Sequence, residues 1–285
     1  MPLGTLYLVA TPIGNLEDIT LRALRILRDV PLIACEDTRQ TRKLLNHHSL
    51  RTRTVPFHRF NEARTVPALL QKLRSGQDVA LVTDGGTPSV SDPGVSLARA
   101  AREAGIRVVP VPGPSAPLAA LVASGLPAER FSFFGFLPHR SGERRRLLES
   151  LRGRQETLIF FDSPRRVGSS LKEMTEIFGD RPASIGREMT KIHEEFLAGS
   201  LGDLAERLRQ SAVRGEVTVV VGGAPSPRPR HAPVEVLRGE VSREMKKEGS
   251  SRRDAIRAVA LRLGVPRREV YRAFREGACQ DDESE

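Results

Sequence analysis

The stretch Val82–Gly94, with the sequence VTDGGTPSVSDPG, decides the expected fold of this chain. It follows directly on a short apolar run and is rich in glycine, proline, aspartate and small hydroxyl residues. Glycine lets a backbone approach a ligand closely, and proline stiffens a loop. In an open α/β sheet, ligands bind outside the carboxyl ends of the strands. The stretch therefore predicts a buried strand followed by a ligand-binding loop.

The composition is typical of a globular protein with a basic surface. The chain has 285 residues, 39% of them hydrophobic, and a formal net charge of +10. This charge favours a polyanionic partner such as nucleic acid, although an arginine-rich composition can also reflect base usage alone. The apolar stretches are too short to span a membrane and the N-terminus lacks a basic leader region, so we expect a cytoplasmic protein without a membrane partner. Cys35 and Cys279 stand far apart, in no metal-like spacing, and are expected to be plain thiols.

Short β-branched runs alternate with helical patterns along most of the chain. The runs are mostly continuous, which predicts strands buried on both faces, as in parallel or mixed sheets under helices. Their alternation with helices predicts an α/β fold. The predicted strands are Leu6–Ala10, Leu32–Cys35, Val79–Thr83, Arg107–Val111, Thr157–Phe161, Ala183–Gly186 and Val217–Val221. The predicted helices are Leu21–Leu27, Thr65–Arg74, Ser96–Ala104, Gly142–Leu151, Ser169–Phe178 and Leu201–Ser211.

Two proline-rich segments suggest the domain boundaries. Val108–Pro117 has four prolines in ten residues, which a helix or a central strand does not accommodate. Gly222–Glu235 precedes a helical and strongly basic tail. In that tail, Ser251–Phe274 has helix-turn-helix-like spacing, and an ordinary αα-hairpin is the alternative. The predicted domains are an N-terminal α/β domain over 1–112, a second α/β domain over 113–226, and a small helical C-terminal extension over 227–285.

Polar or glycine-rich loops follow several of the predicted strands, where a ligand would bind. The common nucleotide and nucleophile motifs do not occur in them: the sequence has no Gly-Lys-Ser/Thr loop, no G-x-G-x-x-G after the first strand, and no G-x-S-x-G around Ser115. The six histidines form no ligand-spaced cluster, so no metal site is predicted. A cofactor-binding transferase and a pure binding protein both remain. The loops are Ala10–Asn15, Asp84–Gly94, Pro112–Ala116 and Asp162–Arg166.

Taken together, these loops resemble the tetrapyrrole-methylase-like family of S-adenosylmethionine-dependent methyltransferases, in which GTPSVSDPG is similar to a glycine-rich G-x-P loop. The resemblance is closer still to a branch of that family that acts on ribosomal RNA, and it covers nearly the whole chain. Its motifs here are LYLVATPIGNLEDIT, CEDTR, DGGTPSVSDPG, VPGPSA, FGFLP, REMTKIHEEF and RGEVTVVVGG.

The resemblance implies two α/β domains of tetrapyrrole-methylase type, with S-adenosyl-L-methionine in the cleft between them, and a homodimer. It also implies the reaction, which is methyl transfer to the 2′-hydroxyl of a cytidine in the decoding region of 16S rRNA in the small ribosomal subunit. No DNA partner is expected. Methylation of a tetrapyrrole carbon and a non-catalytic RNA-binding or ribosome-assembly protein are the alternatives. The basic tail and the CEDTR loop favour the RNA branch, and the ordered set of cofactor loops favours an enzyme.

The resemblance also suggests a role for each cofactor-site residue. Gly86 and Thr87 would bring main chain to the amino-acid part of the cofactor, Val90 would pack on it, and Asp92 would orient the loop or the cofactor amine. For each glycine and proline, a purely structural turn is the alternative. The full set expected at the cofactor is Pro12, Asp84, Gly86, Thr87, Val90, Asp92, Ser115, Ala116 and Phe161.

Transfer to a ribose hydroxyl needs orientation and is helped by a base that takes the hydroxyl proton. Asp37 and Glu36 are the first candidates, because they follow a predicted strand, and Glu188 and Asp162 are further ones. Asp37 and Glu36 could equally cap the next helix or pair with Arg39.

Arginine and lysine side chains near the loops and in the tail are candidate contacts to RNA phosphates. For each of them, a surface ion pair with a neighbouring acid is the alternative. The candidates are Arg39, Arg165, Arg166, Lys191, Arg252, Arg253, Arg267 and Arg268.

Overall fold

The computed structural model describes residues 2–209, 215–225, 232–246 and 251–278. The chain forms two compact units, Met1–Ala224 and Pro225–Glu285. The first unit contains two five-stranded sheets, and the described part of the second is helical.

The first sheet is parallel throughout, with the strand order β3-β2-β4-β1-β5. Every residue of β2 and β4 is buried, as their continuous apolar runs predict. Helices α1 and α2 pack on one face of the sheet, and α3 and α4 pack on the other. The strands are β1 Thr5–Val9, β2 Leu32–Cys35, β3 Thr54–Pro56, β4 Val79–Val82 and β5 Arg107–Val111. The helices are α1 Leu21–Asp29, α2 Thr38–His47, α3 Glu62–Arg74 and α4 Val95–Glu103.

The second sheet is mixed, with the order β6-β7-β10-β8-β9. Strands β6 and β7 are parallel, and the other neighbours are antiparallel. Helices α6, α7 and α8 cover one face, and α5 packs on the other. The strands are β6 Phe131–Phe136, β7 Thr157–Asp162, β8 Pro182–Arg187, β9 Glu195–Ser200 and β10 Val217–Val221. The helices are α5 Ala116–Ala123, α6 Ser141–Leu151, α7 Val167–Phe178 and α8 Leu201–Arg209.

The second unit contains the helices α9 Val234–Met245, α10 Arg252–Leu263 and α11 Arg267–Ala278, which share one apolar core. Ser251 caps α10 by accepting the backbone N–H of Asp254. The helix ends at Gly264, whose φ of 67° is the left-handed conformation that glycine adopts without strain. The predicted helix, turn, helix sequence is therefore present, and α9 adds a third helix to it.

The α/β class, the two-sheet architecture and the helical extension are confirmed. The sequence analysis did not identify α2, β3, α5, β6 or β9. Pro110 lies inside β5, and this is possible because β5 is an edge strand. The division of the first unit at 112/113 stays a prediction.

Cys35 is buried as a free thiol, whereas Cys279 and residues 210–211 of a predicted helix lie outside the described residues. No helix among the described residues is long and apolar enough to cross a membrane.

A buried cation joins three segments of the second sheet's layer. Arg181 is 5% exposed, and its guanidinium donates to the carbonyl oxygens of Phe178 at 3.1 Å, Gly222 at 3.5 Å and Arg152. It also lies 4.8 Å from the centre of the Phe178 ring. Burial lowers the pKa of Arg181, and the charge of Arg152 lowers it further. The carbonyl contacts hold together the ends of α6, α7 and β10.

Replacing Arg181 with an apolar side chain of similar length tests whether its carbonyl contacts stabilise the fold. Arg181→Met should lower the free energy of unfolding by about 3 kcal/mol, because the buried carbonyls lose a charged donor. Urea denaturation measures the change. Arg209→Met is the matched control, since Arg209 pairs at the surface with Glu206 and its side chain is 70% exposed. Its expected loss is much smaller, because an exposed ion pair contributes little to stability. Equal losses of unfolding free energy in the two variants would contradict this role of Arg181.

Candidate functional site

The loops that follow β1, β4 and β5 converge at the carboxyl edge of the first sheet. Thr11 and Gly86 exchange two backbone hydrogen bonds of 2.9 Å, which form an isolated antiparallel bridge. The Thr11 hydroxyl donates to the Thr83 carbonyl at 3.0 Å, and the Thr87 hydroxyl donates to the Pro114 carbonyl at 3.3 Å. The three loops are therefore joined into one structure by main-chain acceptors.

Glycine is required where these loops approach one another. Gly86 has a φ of 90°, and a Cβ added at Gly85 would lie 3.2 Å from the Pro12 carbonyl oxygen. Two non-glycine residues of the same loop, Ser89 and Ser91, also have positive φ values, of 71° and 66°. Non-glycine residues rarely adopt this conformation, and such strain concentrates at functional sites.

The loops of the first sheet contact the layer of the second. The Asn15 backbone N–H donates to the Thr190 hydroxyl at 3.0 Å, and a Cβ added at Gly14 would lie 2.5 Å from Lys191 Cγ. A Cβ added at Gly135 on β6 would lie 2.9 Å from the Ser91 hydroxyl oxygen. These contacts bring the REMTK and FGFLP segments up to the loops of the first sheet.

Carboxyl groups gather at the ends of β2 and β4. Burial raises the pKa of Glu36, and the charge of Asp84 raises it further. Burial also raises the pKa of Asp92 to about 6, with a further contribution from the charge of Glu36. The Arg59 guanidinium acts in the opposite direction on both carboxyls. Glu36 and Asp92 are thus acids that retain a proton more readily than exposed carboxyls do.

Asp37 has a different environment. Its carboxylate caps α2 by accepting the Arg39 backbone N–H at 2.8 Å, and it pairs with the Arg39 guanidinium at 2.7 Å. These bonds hold the pKa of Asp37 down at about 2. Its own backbone N–H donates to Asp84 Oδ1 at 2.9 Å. Asp37 therefore has both of the structural roles that the sequence allowed.

Glu188 lies in the layer of the second sheet, between β8 and β9. Its carboxylate accepts the Lys191 ammonium at 2.8 Å and the Glu216 backbone N–H at 2.9 Å. These two bonds, the ammonium first, lower the pKa of Glu188. Lys191 also pairs with the Glu216 carboxylate at 3.2 Å. The predicted base Glu188 and the predicted phosphate contact Lys191 thus bind each other.

Phe161 belongs to an aromatic group at the end of β7. Its ring centre lies 4.9 Å from that of Phe133 and 5.1 Å from that of Phe136, and it is half-buried. Ala116 packs at the edge of the neighbouring apolar cluster under α5, and Ser115 begins that helix. Pro12 is buried, whereas Val90 is 38% exposed. The predicted cofactor residues thus lie on the loops after β1, β4 and β5, at the start of α5 and at the end of β7.

The predicted phosphate contacts differ in whether their side chains are bound to other residues of the protein or exposed to solvent. The Arg166 guanidinium bonds Asp162, the Leu137 carbonyl at 2.7 Å and the His139 ring at 2.7 Å, and its side chain is only 15% exposed. Arg166 is therefore bound within the protein, although it was predicted from the sequence to contact a phosphate. Arg165, in contrast, is exposed, and the described residues offer it no carboxylate within ion-pair distance. Arg39 is 87% exposed although it pairs with Asp37.

In the separate helical unit, Arg252 lies over the rings of Tyr271 at 5.9 Å and Phe274 at 4.8 Å. Arg253, Arg267 and Arg268 are exposed.

The turn after β3 was not predicted from the sequence. It supplies charged groups to the carboxyl edge of the first sheet. Arg59 lies close enough to Glu36 and Asp92 to lower the pKa of both, and His58 also acts on Glu36. The sequence feature that could have indicated this turn was the segment FHRF, which comes directly after the short run TVP. Within the described ranges, no cluster of three or more histidine, cysteine or acidic side chains is arranged to hold a metal ion.

Comparison with known proteins identifies relatives of the chain. Residues 5–205 match the family of tetrapyrrole (corrin/porphyrin) methylases. A Halalkalibacterium halodurans protein named ribosomal RNA small subunit methyltransferase I is 44% identical, over 96% of this chain and 95% of its own length. A protein of the same name from Mesorhizobium japonicum is 50% identical, over 84% of this chain and 82% of its own.

Solved structures show the same fold. The crystal structure of uroporphyrin-III C-methyltransferase from Thermus thermophilus, complexed with S-adenyl homocysteine, superposes with a TM-score of 0.55. Its identity is 22%, and the match covers 77% of this chain and 97% of that one. The family match, the identities over most of the chain and the shared fold lead to one conclusion: the chain belongs to the tetrapyrrole methylase family and, within it, to the group of ribosomal RNA small subunit methyltransferase I proteins.

Proposed function

We propose that this methyltransferase transfers the methyl group of S-adenosylmethionine to the 2′-hydroxyl of a cytidine in the decoding region of 16S rRNA. The observation that carries the proposal is the joined set of loops at the carboxyl edge of the first sheet, next to two carboxyls with raised pKa values. The name shared by the relatives supports ribosomal RNA of the small subunit as the substrate. The net charge of +10 suits a polyanionic substrate.

The residues present fit S-adenosylmethionine. The Thr11–Gly86 bridge and the close approach of Gly85 to Pro12, whose carbonyl oxygen lies 3.2 Å from an added Cβ, form a compact main-chain cradle. The half-buried Phe161 offers an apolar surface suited to an adenine ring. In this proposal, Gly86, Thr87 and the ends of β1 and β5 hold the amino-acid part of the cofactor. The bound S-adenyl homocysteine of the Thermus relative supports this class of ligand.

The bound cofactor supplies an activated methyl group on a sulfonium centre. The protein then has to orient the ribose hydroxyl and accept its proton. Glu36 suits the second task, because its carboxyl is partly buried and its raised pKa makes it a stronger base than an ordinary glutamate. Asp37 suits it less, since its pKa of about 2 and its bonds to Arg39 favour the ionised, already paired carboxylate. Asp37 instead fixes the start of α2 and so the position of Glu36.

The proposed RNA path follows the exposed cations. Arg165 and Arg39 would contact phosphates near the site, whereas Arg166 and Lys191 would stabilise the loops through their acidic partners. In the helical unit, Arg252, Arg253, Arg267 and Arg268 would add phosphate contacts without reading sequence.

We also propose a homodimer in the cytoplasm. The exposed apolar side chains of Leu118 and Val122 on α5, 48% and 77% accessible, support a protein interface.

The experiment that tests the reaction is methyl transfer from labelled S-adenosylmethionine to small ribosomal subunits that lack the modification. Nuclease mapping then locates the label. The expected result is an alkali-resistant label on one cytidine ribose of the decoding region. Cofactor binding without label on subunits or free rRNA would contradict the substrate, and label on a uroporphyrinoid would move the activity to tetrapyrrole carbon methylation.

A substitution at Gly86 tests the cofactor cradle. Gly86→Leu should weaken S-adenosylmethionine binding at least about tenfold in calorimetry, because the side chain enters the cradle beside Ile13 Cγ2, which lies 3.6 Å from an added Cβ. The positive φ should also lower stability by about 1–2 kcal/mol. Gly105→Leu is the matched control: Gly105 has a φ of 70° and open space around an added Cβ. It carries the same backbone strain and should bind the cofactor normally. Unchanged affinity in Gly86→Leu would contradict the cradle.

Amide substitutions separate the two adjacent carboxylates. Glu36→Gln should lower the single-turnover rate about a hundredfold or more, the usual size of general-base catalysis. It should also remove the acidic limb of the pH–rate profile that comes from Glu36, whose pKa is raised above 4.5. Asp37→Asn should keep that limb, because asparagine also caps helices and the change removes only the charge that pairs with Arg39 at the surface. A Glu36→Gln rate close to that of the unmodified protein would exclude Glu36 as the base.

A further inference from the structure

We propose that the turn from His58 to Asn61 is a base-stacking platform for RNA. In this arrangement, the Phe60 ring stacks on an unpaired nucleobase, and the Arg59 guanidinium contacts the phosphate next to it. The inference rests on the proposed RNA substrate and identifies side chains that would hold it.

Phe60 is exposed to an unusual degree for its size and position. Its accessible fraction is 95%, whereas Phe57, three residues earlier, is completely buried in the core. The described ring contact of Phe60 is an edge contact with His58 at 6.2 Å between ring centres, which leaves its faces open. A large apolar ring that stays in water contributes nothing to the free energy of folding, because its surface is not buried.

The turn that carries Phe60 is locked by its own hydrogen bonds. The Asn61 side chain accepts the His58 backbone N–H at 2.8 Å and donates to the Pro56 carbonyl at 3.0 Å. The Asn61 backbone N–H in turn donates to the His58 carbonyl at 2.9 Å. Phe60 is therefore presented from a closed turn, and a partner that binds it has little loop entropy to overcome.

The turn is also fixed to the glycine-rich loop of the site. Glu62, at the start of α3, accepts the Gly94 backbone N–H at 3.0 Å and the Ser96 hydroxyl at 2.6 Å. These bonds join the turn after β3 to the loop after β4, across the carboxyl edge of the sheet. The position of Phe60 is thereby set relative to the cradle around Gly86.

Arg59 precedes Phe60 in the same turn and supplies a cation. It is exposed, and the described residues offer it no carboxylate within ion-pair distance, yet its charge lowers the pKa of both Glu36 and Asp92. In this proposal, Arg59 contacts a phosphate close to the target ribose, because its charge acts on the proposed base Glu36. An open aromatic face next to an arginine is the combination that proteins use to bind single-stranded nucleic acid.

The exposed cation of Arg59 favours a phosphate-bearing partner such as RNA. The proposed occupant carries phosphates that complement Arg59, and a ribose 2′-hydroxyl in the decoding region is reached most easily when its nucleotide or a neighbour is unstacked. Stacking on Phe60 would stabilise the unstacked base and would tolerate any base identity, because every base has a π face.

Binding measurements on the full chain test the platform. The probe is a fluorescently labelled RNA with the sequence of the 16S decoding region, and the readouts are its Kd by anisotropy and the affinity for S-adenosylmethionine by calorimetry. Phe60→Ala should weaken RNA binding about tenfold, the size expected for one stacked base, and leave cofactor affinity unchanged. Phe60→Tyr should restore binding to within about twofold, since the π face is kept. Arg59→Gln should reduce the salt dependence of RNA binding by about one phosphate contact.

Phe131→Ala is the matched aromatic control. Phe131 is 41% exposed at the start of β6, and its removal should leave the RNA affinity unchanged. Normal RNA affinity in Phe60→Ala, or an equal loss in Phe131→Ala, overturns the platform. If the unmodified protein binds the RNA but transfers no methyl group, the proposed reaction fails while the Kd comparison still decides the platform. If the unmodified protein does not bind the isolated RNA, the platform fails, whereas methyl transfer to small ribosomal subunits still decides the proposed reaction.

Discussion

The two backbone hydrogen bonds between Thr11 and Gly86 are the constraint on which the rest of the site depends. They set the separation between the loops after β1 and β4, which are neighbouring central strands. With that separation set, Thr87 reaches the Pro114 carbonyl and Asp84 reaches the backbone N–H of Asp37. One bridge thus connects four strand ends. The bridge uses main-chain groups, so it tolerates many side chains but requires a residue at position 86 that accepts a φ of 90°.

The carboxyls at this edge lower the stability of the fold, which argues that they serve the reaction. Folding raises the pKa of Asp92 from 3.8 to about 6. The native state therefore binds the proton more tightly than the unfolded chain does. The resulting stabilisation is fully present below about pH 4 and is lost as the pH rises through about 6. At neutral pH the group is ionised beside Glu36 and Asp84, where its charge is unfavourable. Groups with this property concentrate at functional sites.

Much of the fold was predictable because burial on both faces leaves continuous apolar runs. Strands β2, β4 and β10 are fully buried, and each was predicted. The missed strands β6 and β9 are sheet edges with mostly half-exposed residues, so their pattern is weak. Helix α2 has only Thr41, Leu44 and Leu45 buried. The site loops followed from their position after strands, but the distant partners of Arg166 and Glu188 did not. His139 and Glu216 lie 27 and 28 residues away along the chain, where local patterns carry no information.

The two adjacent acids of CEDTR show why the fold has to be known before chemistry can be assigned to sequence. Both follow β2 and both are carboxylates, so local sequence ranks them equally. Capping of a helix and pairing with Arg39 lower the pKa of one, whereas burial beside Asp84 raises the pKa of the other. A base must be close to the hydroxyl and must still have an affinity for its proton. Only Glu36 of the two has that affinity, because it is partly buried beside Asp84, whereas Asp37 takes the structural bonds at the start of α2.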